Sequence, residues 1–264
     1  MKRLVPLLIL CALVCAQPKH PTALDRYVAA ADSNYKWELS NTIEGKGYHA
    51  YVIELTSQKW RDEKEVDKPL WKHWLTIIRP ETVNYDTAFL FIAGGNNHSG
   101  VPKTSDVMLT QMALDTKTVV VELKQIPSEP LTFSDEPGKA LNEDGIITYS
   151  WEKFLKGGDE NWPLRLPMTK AAVRAMDTVT AFGKTKASYN IDKFIVSGGS
   201  KRGWTTWTTA AVDKRVVAIA PAVIDVLNME KSMDHHFRAF CWRLCLAGDH
   251  GLGGFQRVQS AARN

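Results

Sequence analysis

The chain has 264 residues, of which 44% are hydrophobic, and its 33 basic and 29 acidic side chains give a formal net charge of +4. A balance so close to neutral gives no indication of nucleic-acid binding, which normally requires a strongly basic surface. The length suits one large α/β domain better than two small ones, and the four cysteines are too few for a disulfide scaffold.

Residues 1–16 are typical of a secretory signal peptide. They begin with a positive charge, continue with an apolar stretch over residues 4–14 and end at a small-residue cleavage site, Ala16. That apolar stretch is shorter than the roughly 20 residues that span a bilayer, so we expect cleavage and no membrane span afterwards. The sequence thus predicts a secreted, extracellular protein that begins at Gln17.

Two alternating runs, residues 48–55 and 71–78, predict a pair of strands that opens a sheet. The nearly unbroken apolar run 87–93 predicts a strand buried on both faces, and the loop of residues 94–98 that follows it has the composition of a functional loop. Residues 118–123 predict a second strand of the same kind.

Helices and strands alternate in the predicted order. We expect a crossover helix over residues 104–115, a longer helix over residues 168–182 and a further strand over residues 216–220. Alternation with continuous apolar strands implies an α/β fold, a mostly parallel sheet with helices on both faces.

Residues 125–165 interrupt this alternation with several prolines and glycines. One interpretation is a surface excursion with a short helix over residues 149–155. The other is a lid that brings Trp151 and Trp162 into contact with a substrate. The sequence does not decide between them.

The most informative segment is a short apolar strand, residues 194–196, that leads into a glycine-flanked Ser200 at a predicted helix start. Gly198 and Gly203 would allow a sharp turn that presents the hydroxyl as a nucleophile beside helix N-terminal amides. The usual pattern is G-x-S-x-G, whereas here Arg202 occupies the second glycine position. A phosphate-binding turn or a simple helix cap are the alternatives.

Four separated segments carry a resemblance to a known family, the PhoPQ-activated pathogenicity-related proteins, also called PqaA-type. The segments are residues 71–75 (WKHWL), 91–97 (FIAGGNN), 162–168 (WPLRLPM) and 197–204 (SGGSKRGW). The resemblance runs from about residue 23 to residue 240. It implies an α/β-hydrolase-like fold in a family that is commonly exported and that includes secreted proliferation-repressing proteins.

The resemblance also implies roles for particular residues. Ser200 matches the family's elbow serine, and the loop after the third strand of a hydrolase sheet contributes oxyanion donors. The loop donors would be the backbone amides of Gly95 and Asn96, and a further donor would be the amide of Lys201, the residue after the nucleophile. For the cations Lys201 and Arg202 beside the serine, one interpretation is that the site accommodates an anionic group or that Lys201 also steadies the oxyanion. The other is that both side chains face solvent or pair with acids at a sheet edge.

The resemblance stops after Phe240, and residues 241–264 predict a divergent, irregular tail. A hydrolase triad continues from serine to an acid and then a histidine, but only 64 residues follow Ser200. We therefore expect a C-terminally truncated domain, residues 17–240, whose triad is incomplete. Asp225, His235 and His236 are the available substitutes for the acid and the base.

Two functions remain open. The first is a secreted serine hydrolase of an ester or peptide-like substrate, which an incomplete triad would leave inactive. The alternative is a secreted, non-catalytic signalling or binding protein that recognises an extracellular receptor. Neither requires a cofactor, and no spacing of histidines and acids predicts a metal site.

Overall fold

A computed structural model of the chain describes residues 20–244. The predicted signal peptide and residues 245–264 of the predicted tail lie outside the described residues. Within them, no helix combines the length and the apolar character that crossing a bilayer requires.

The described chain forms nine strands, seven of them in one sheet. In chain order they are β1 (Lys36–Gly45), β2 (Tyr48–Lys59), β3 (Leu70–Pro80), β4 (Thr87–Ile92), β5 (Val120–Leu123), β6 (Leu131–Thr132), β7 (Ala140–Leu141), β8 (Lys193–Gly199) and β9 (Val216–Ala222). The main sheet has the order β1-β2-β3-β5-β4-β8-β9, and β6 pairs only with β7.

Six α-helices accompany these strands. They are α1 (Ala23–Ala29), α2 (Val107–Thr116), α3 (Glu143–Gly157), α4 (Arg165–Phe182), α5 (Lys201–Val212) and α6 (Met229–Leu244). Helix α4 continues directly into a π-helical turn, Gly183–Ala187. Helix α6 passes through Phe240, so the first residues of the predicted tail are helical.

The sheet is mixed. Strands β5, β4, β8 and β9 are mutually parallel, whereas β1, β2, β3 and β5 pair antiparallel in that order. The predicted fold class, an α/β-hydrolase-like sheet with helices on both faces, is confirmed. The sheet was predicted to be mostly parallel, whereas about half of its strand pairs are antiparallel. Strand β1 and helix α1 had not been predicted.

Alternation along the strands explains the two helical layers, because successive strand side chains point to opposite faces. Ile77 and Val121 belong to the main core, which contains the buried face of α4. Their neighbours Ile78 and Val120 pack instead with Leu109 and its helix, α2, on the other face.

The boundaries of three helices differ from the predictions, and for α2 a capping side chain explains the difference. The predicted helix 104–115 begins at Val107 because the Asp106 carboxylate accepts a hydrogen bond from the Leu109 amide at 2.9 Å. The predicted helix 168–182 begins three residues earlier, at Arg165, and the short helix predicted over 149–155 extends over the whole of α3.

The 125–165 segment is neither a bare surface excursion nor simply a lid. Phe133 stacks on Tyr149 with ring centroids 3.8 Å apart, and Trp162 packs edge-on against Trp60 at 6.1 Å, all in the main core. Of the two tryptophans in the segment, Trp162 is therefore a core residue. Trp151 lies elsewhere, at the site described below.

His73 on β3 is a buried, neutral imidazole. Its Nδ1–H donates to the Lys124 carbonyl at 3.3 Å, so Nε2, 2.9 Å from the Ser57 hydroxyl, accepts. Burial lowers the pKa of His73 to about 4 from its ordinary 6.5.

We expect His73 to make the fold acid-sensitive. Because the unfolded chain binds a proton near pH 6.5 and the folded chain only near pH 4, stability is lost as the pH falls through this window. The loss from this one group is about 3 kcal/mol by pH 4. Denaturant unfolding at pH 7.5 and at pH 4 measures this loss of unfolding free energy. The loss should be absent in His73→Gln and present in the control His98→Gln, which changes an exposed histidine. An equal loss of stability in wild type and His73→Gln would contradict the prediction.

Candidate functional site

The turn between β8 and α5 holds Ser200 in a backbone conformation that residues other than glycine rarely adopt, with φ 55° and ψ −121°. Its amide donates to the Ala222 carbonyl at 2.9 Å, which ties the turn to the end of β9. The residue is exposed, and its hydroxyl makes no hydrogen bond with any described residue. A strained turn that presents a free serine hydroxyl is the arrangement of a nucleophile elbow.

Two glycines make this turn possible. A Cβ on Gly203 would lie 2.7 Å from Ile224 Cγ2 and 2.9 Å from the carbonyl oxygens of Gly198 and Ala222. A Cβ on Gly198 would lie 2.8 Å from the Arg202 carbonyl oxygen. The glycine that the usual motif places two residues after the serine is thus needed here three residues after it, where α5 crosses the ends of β8 and β9.

The start of α5 offers unpaired donors beside Ser200. The amides of Lys201, Arg202 and Gly203 have no backbone acceptor among residues 20–244, and the first internal bond of the helix runs from Trp204 to the Ser200 carbonyl. These amides, together with the helix dipole, favour negative charge at this position.

The loop after β4 lies at the same edge of the sheet, because β4 and β8 are parallel and Ile92 pairs with Gly198. Gly94 directly contacts the Arg202 guanidinium, since a Cβ there would lie 2.6 Å from Nη2. The amides of Gly95 and Asn96 have no acceptor among the described residues. Neither residue, however, lines the cleft that contains Ser200.

That cleft has a volume of about 240 Å³ and largely apolar walls. Trp151 from α3 and Trp204 from α5 meet edge to face, 6.0 Å between ring centroids, and Met229 and Met233 of α6 line it as well. Trp151 is therefore the tryptophan of the 125–165 segment that can contact a bound molecule.

Three of the predicted site residues share the cleft: Ser200, Lys201 and Asp225. His235 and His236 lie on α6 as exposed residues, and neither lines it. No histidine of the described chain does so, and no described cluster of three or more His, Cys, Asp or Glu side chains could hold a metal ion.

The two cations after Ser200 pair with acids. Lys201 Nζ lies 2.6 Å from Glu143 Oε2 and 3.1 Å from Asp144 Oδ1, and Arg202 Nη2 lies 2.7 Å from Glu143 Oε1. The acids belong to the start of α3 and not to a sheet edge. The contact with Lys201 lowers the pKa of Glu143, which stays ionised at neutral pH.

Sequence reasoning missed both Glu143 and a second residue, Arg165, the first residue of α4. Arg165 is only 7% exposed, donates from Nη1 to the Lys201 carbonyl at 2.7 Å and lies 4.3 Å above the Trp204 ring. Burial lowers its pKa to about 9, so it remains a cation at neutral pH. The acidic pair at the start of α3 was a usable signal for Glu143. Arg165 stands in the motif of residues 162–168 that carried the family resemblance, but nothing in that motif indicates that its side chain reaches the elbow.

We expect Glu143→Gln to lower the free energy of unfolding by about 1–2 kcal/mol, because it leaves two partly buried cations without their shared carboxylate. The Glu143 side chain is 39% exposed, so solvent screening keeps the effect below that of a fully buried pair.

Denaturant unfolding at pH 7 measures this loss, and Asp144→Asn, at an 83% exposed side chain, is the control with an expected change below about 0.5 kcal/mol. Because the pKa of Glu143 is lowered on folding, the difference should shrink as the pH falls below 4.5, the ordinary value for this group. Equal losses in the two variants would contradict the bridging role.

Comparison with solved structures gives a fold likeness. The acetyl xylan esterase from Paenibacillus sp. R4 aligns over 90% of this chain and 69% of its own chain, with a TM-score of 0.52 and 12% sequence identity. At that identity the likeness concerns the fold alone.

Comparison with sequences gives a family. Autocrine proliferation repressor protein A from Dictyostelium discoideum is 43% identical over 265 residues, which cover 97% of this chain and 53% of the relative. The chain thus spans about half the length of this curated relative. The family model of the PhoPQ-activated pathogenicity-related protein matches residues 24–247, beyond the residue at which the sequence motifs ended. The chain belongs to the PhoPQ-activated pathogenicity-related protein family.

Proposed function

We propose that the chain is a secreted serine hydrolase that cleaves an ester of a small molecule, with Ser200 as its nucleophile. One observation carries the proposal: a strained, exposed serine at a strand-to-helix turn, with an unpaired hydroxyl, in an apolar cleft. A serine with ordinary backbone angles could cap the helix without the free-energy cost of backbone strain. Strain of this kind is typical of functional sites, where it positions a reactive group.

The proposed reaction is acyl transfer to water. Ser200 Oγ attacks the ester carbonyl and loses its proton to Asp225, the predicted acid that shares the cleft. The tetrahedral oxyanion accepts a hydrogen bond from the amide of Lys201, which lines the cleft; Gly95 and Asn96 do not line it and have no part in this step. The protonated acid returns its proton to the leaving alkoxide, and water then attacks the acyl-serine by the reverse path, which releases the acid product.

The walls of the cleft favour a substrate with an apolar or aromatic portion. Trp151, Trp204 and the two methionines of α6 give a broad apolar surface in the same cleft as Ser200. The solved structure with a similar fold is named as an acetyl xylan esterase, and ester hydrolysis by this chain is compatible with that likeness.

A fluorophosphonate probe tests the proposal. We expect covalent labelling of the wild-type chain and no labelling of Ser200→Ala. Ser197→Ala is the matched control: its hydroxyl is buried and donates to the Ala220 carbonyl at 2.7 Å, so its removal should leave labelling in place. Absence of labelling in wild-type protein that unfolds cooperatively would refute catalysis by Ser200.

A second candidate function is binding without catalysis, and the cleft favours it in one respect. No histidine of residues 20–244 lines the cleft, so the usual base for a serine nucleophile is not among the described groups there. The name of the amoebal relative describes a proliferation repressor. An unlabelled but folded chain that binds a cell-surface receptor would favour this candidate.

Secretion rests on residues 1–16, with their charged start and apolar stretch. N-terminal sequencing of protein collected from the culture medium should give Gln17 as the first residue. Retention of the full N-terminus inside cells would contradict secretion.

A further inference from the structure

The cleft contains a buried cation that forms no salt bridge with any described residue. Arg165 lines it, and no carboxylate of the described residues lies within salt-bridge distance of its guanidinium, although Lys201 and Arg202 beside it are both paired. Desolvating an unpaired cation is costly, and the Lys201 carbonyl and the Trp204 ring compensate only in part.

The unused donors of Arg165 form one edge of the guanidinium. Nη1 is engaged by the Lys201 carbonyl, at 2.7 Å, and by Met168 Sδ, at 3.5 Å. Nε is buried without a partner, and Nη2 makes no hydrogen bond within the described chain. Nε and Nη2 lie on the same edge of the guanidinium, and such an edge can donate two parallel hydrogen bonds to the two oxygens of a carboxylate.

The distribution of charge singles out this group as the one free to bind an anion. Of the two acids in the cleft, Asp144 pairs with Lys201 and Asp225 accepts the Leu227 amide at 3.2 Å. Asp144 attracts Arg165 through space, but neither acid forms a salt bridge with it. The anion-binding role that the sequence suggested for Lys201 and Arg202 is therefore available to Arg165 instead.

From these observations we infer that the cleft takes an ester that carries a free carboxylate, and that Arg165 binds this carboxylate through Nε and Nη2 while the ester carbonyl faces Ser200. This inference rests on the proposed esterase function. Arg165 touches the carbonyl of the residue after the nucleophile, so binding of the acid also fixes the substrate relative to the elbow.

Matched esters test the inference on the full chain. Mono-p-nitrophenyl glutarate and p-nitrophenyl valerate have acyl chains of equal length and differ in the terminal carboxylate. We expect wild type to prefer the glutarate ester at least about tenfold in kcat/KM, and Arg165→Met to abolish that preference. Arg165→Lys should retain charge but lose most of the preference, because a lysine cannot form the fork.

The matched control is Arg174→Met on the same helix. Arg174 pairs with Asp177 at 2.8 Å and does not line the cleft, so the selectivity ratio should stay at its wild-type value. The ratio is the readout because a general disturbance of the elbow would slow both esters alike.

Binding of glutarate to Ser200→Ala, measured by calorimetry, supplies a test that needs no turnover. We expect binding, weakened at least about tenfold by a second substitution, Arg165→Lys, which preserves the charge and the fold. If no ester is cleaved and no probe is bound covalently, the proposed esterase fails, and the glutarate titration alone decides the inference. Equal rates for the two esters, or glutarate binding that is absent or unaffected by Arg165→Lys, would overturn it.

Discussion

Replacing Ser200 with alanine is expected to lower kcat for p-nitrophenyl acetate by at least about 10³-fold, because the substitution removes the hydroxyl that the strained turn presents for acyl transfer. The Ser200 hydroxyl makes no hydrogen bond with the described residues, so the free energy of unfolding should change by less than about 0.5 kcal/mol.

The two measurements together separate chemistry from folding. Steady-state hydrolysis gives kcat, and denaturant unfolding gives the stability of the same preparations. A variant that is as stable as wild type and as active would show that the hydrolysis occurs elsewhere. A variant that loses activity only because it unfolds would assign Ser200 a structural role.

Gly203→Ala is expected to disturb the elbow strongly, although it adds a single methyl group. The new Cβ would lie 2.7 Å from Ile224 Cγ2 and 2.9 Å from two backbone carbonyl oxygens, and backbone atoms cannot rotate away as a flexible side chain can. We expect a loss of about 3 kcal/mol, at the upper end of overpacking costs, and a fall in melting temperature of about 6–12 °C. The rate of fluorophosphonate labelling should fall at least about tenfold, since the elbow must shift to make room.

Gly199→Ala provides the matched control in the same turn. A Cβ at Gly199 meets no heavy atom within 4 Å, and its φ is not in the left-handed region. Stability and labelling should both stay near their wild-type values. Equal damage from the two substitutions would mean that α5 does not cross the strand ends as closely as the structure shows.

The sequence predicts the elements of the sheet well where periodicity is strong. The unbroken apolar runs of β4 and β5 and the alternation in β2 and β3 identify those strands, because burial on one or both faces dictates the residue pattern. Strand β1 escaped prediction, since its residues are mostly exposed or half-buried and give no apolar pattern. Helix starts depend on single capping side chains such as Asp106, which makes them hard to place.

The site could be predicted only in its local part. The glycine spacing around Ser200 anticipates a turn, and the structure shows the strained geometry that those glycines allow. Glu143 and Arg165 reach the elbow from other segments of the chain. Glu143 forms ion pairs with Lys201 and Arg202, and Arg165 donates a hydrogen bond to the Lys201 carbonyl. Such long-range contacts leave no periodic trace in a single sequence. The placement of His235 and His236 away from the cleft likewise depends on how α6 docks.

The most direct test of the account is a crystal structure of the chain after reaction with a small fluorophosphonate. We expect phosphorus bonded to Ser200 Oγ, with the phosphoryl oxygen about 3 Å from the Lys201 amide nitrogen, where a tetrahedral oxyanion would lie. A phosphoryl group on any other residue, or a Ser200 hydroxyl turned away from the cleft and unmodified, would contradict it.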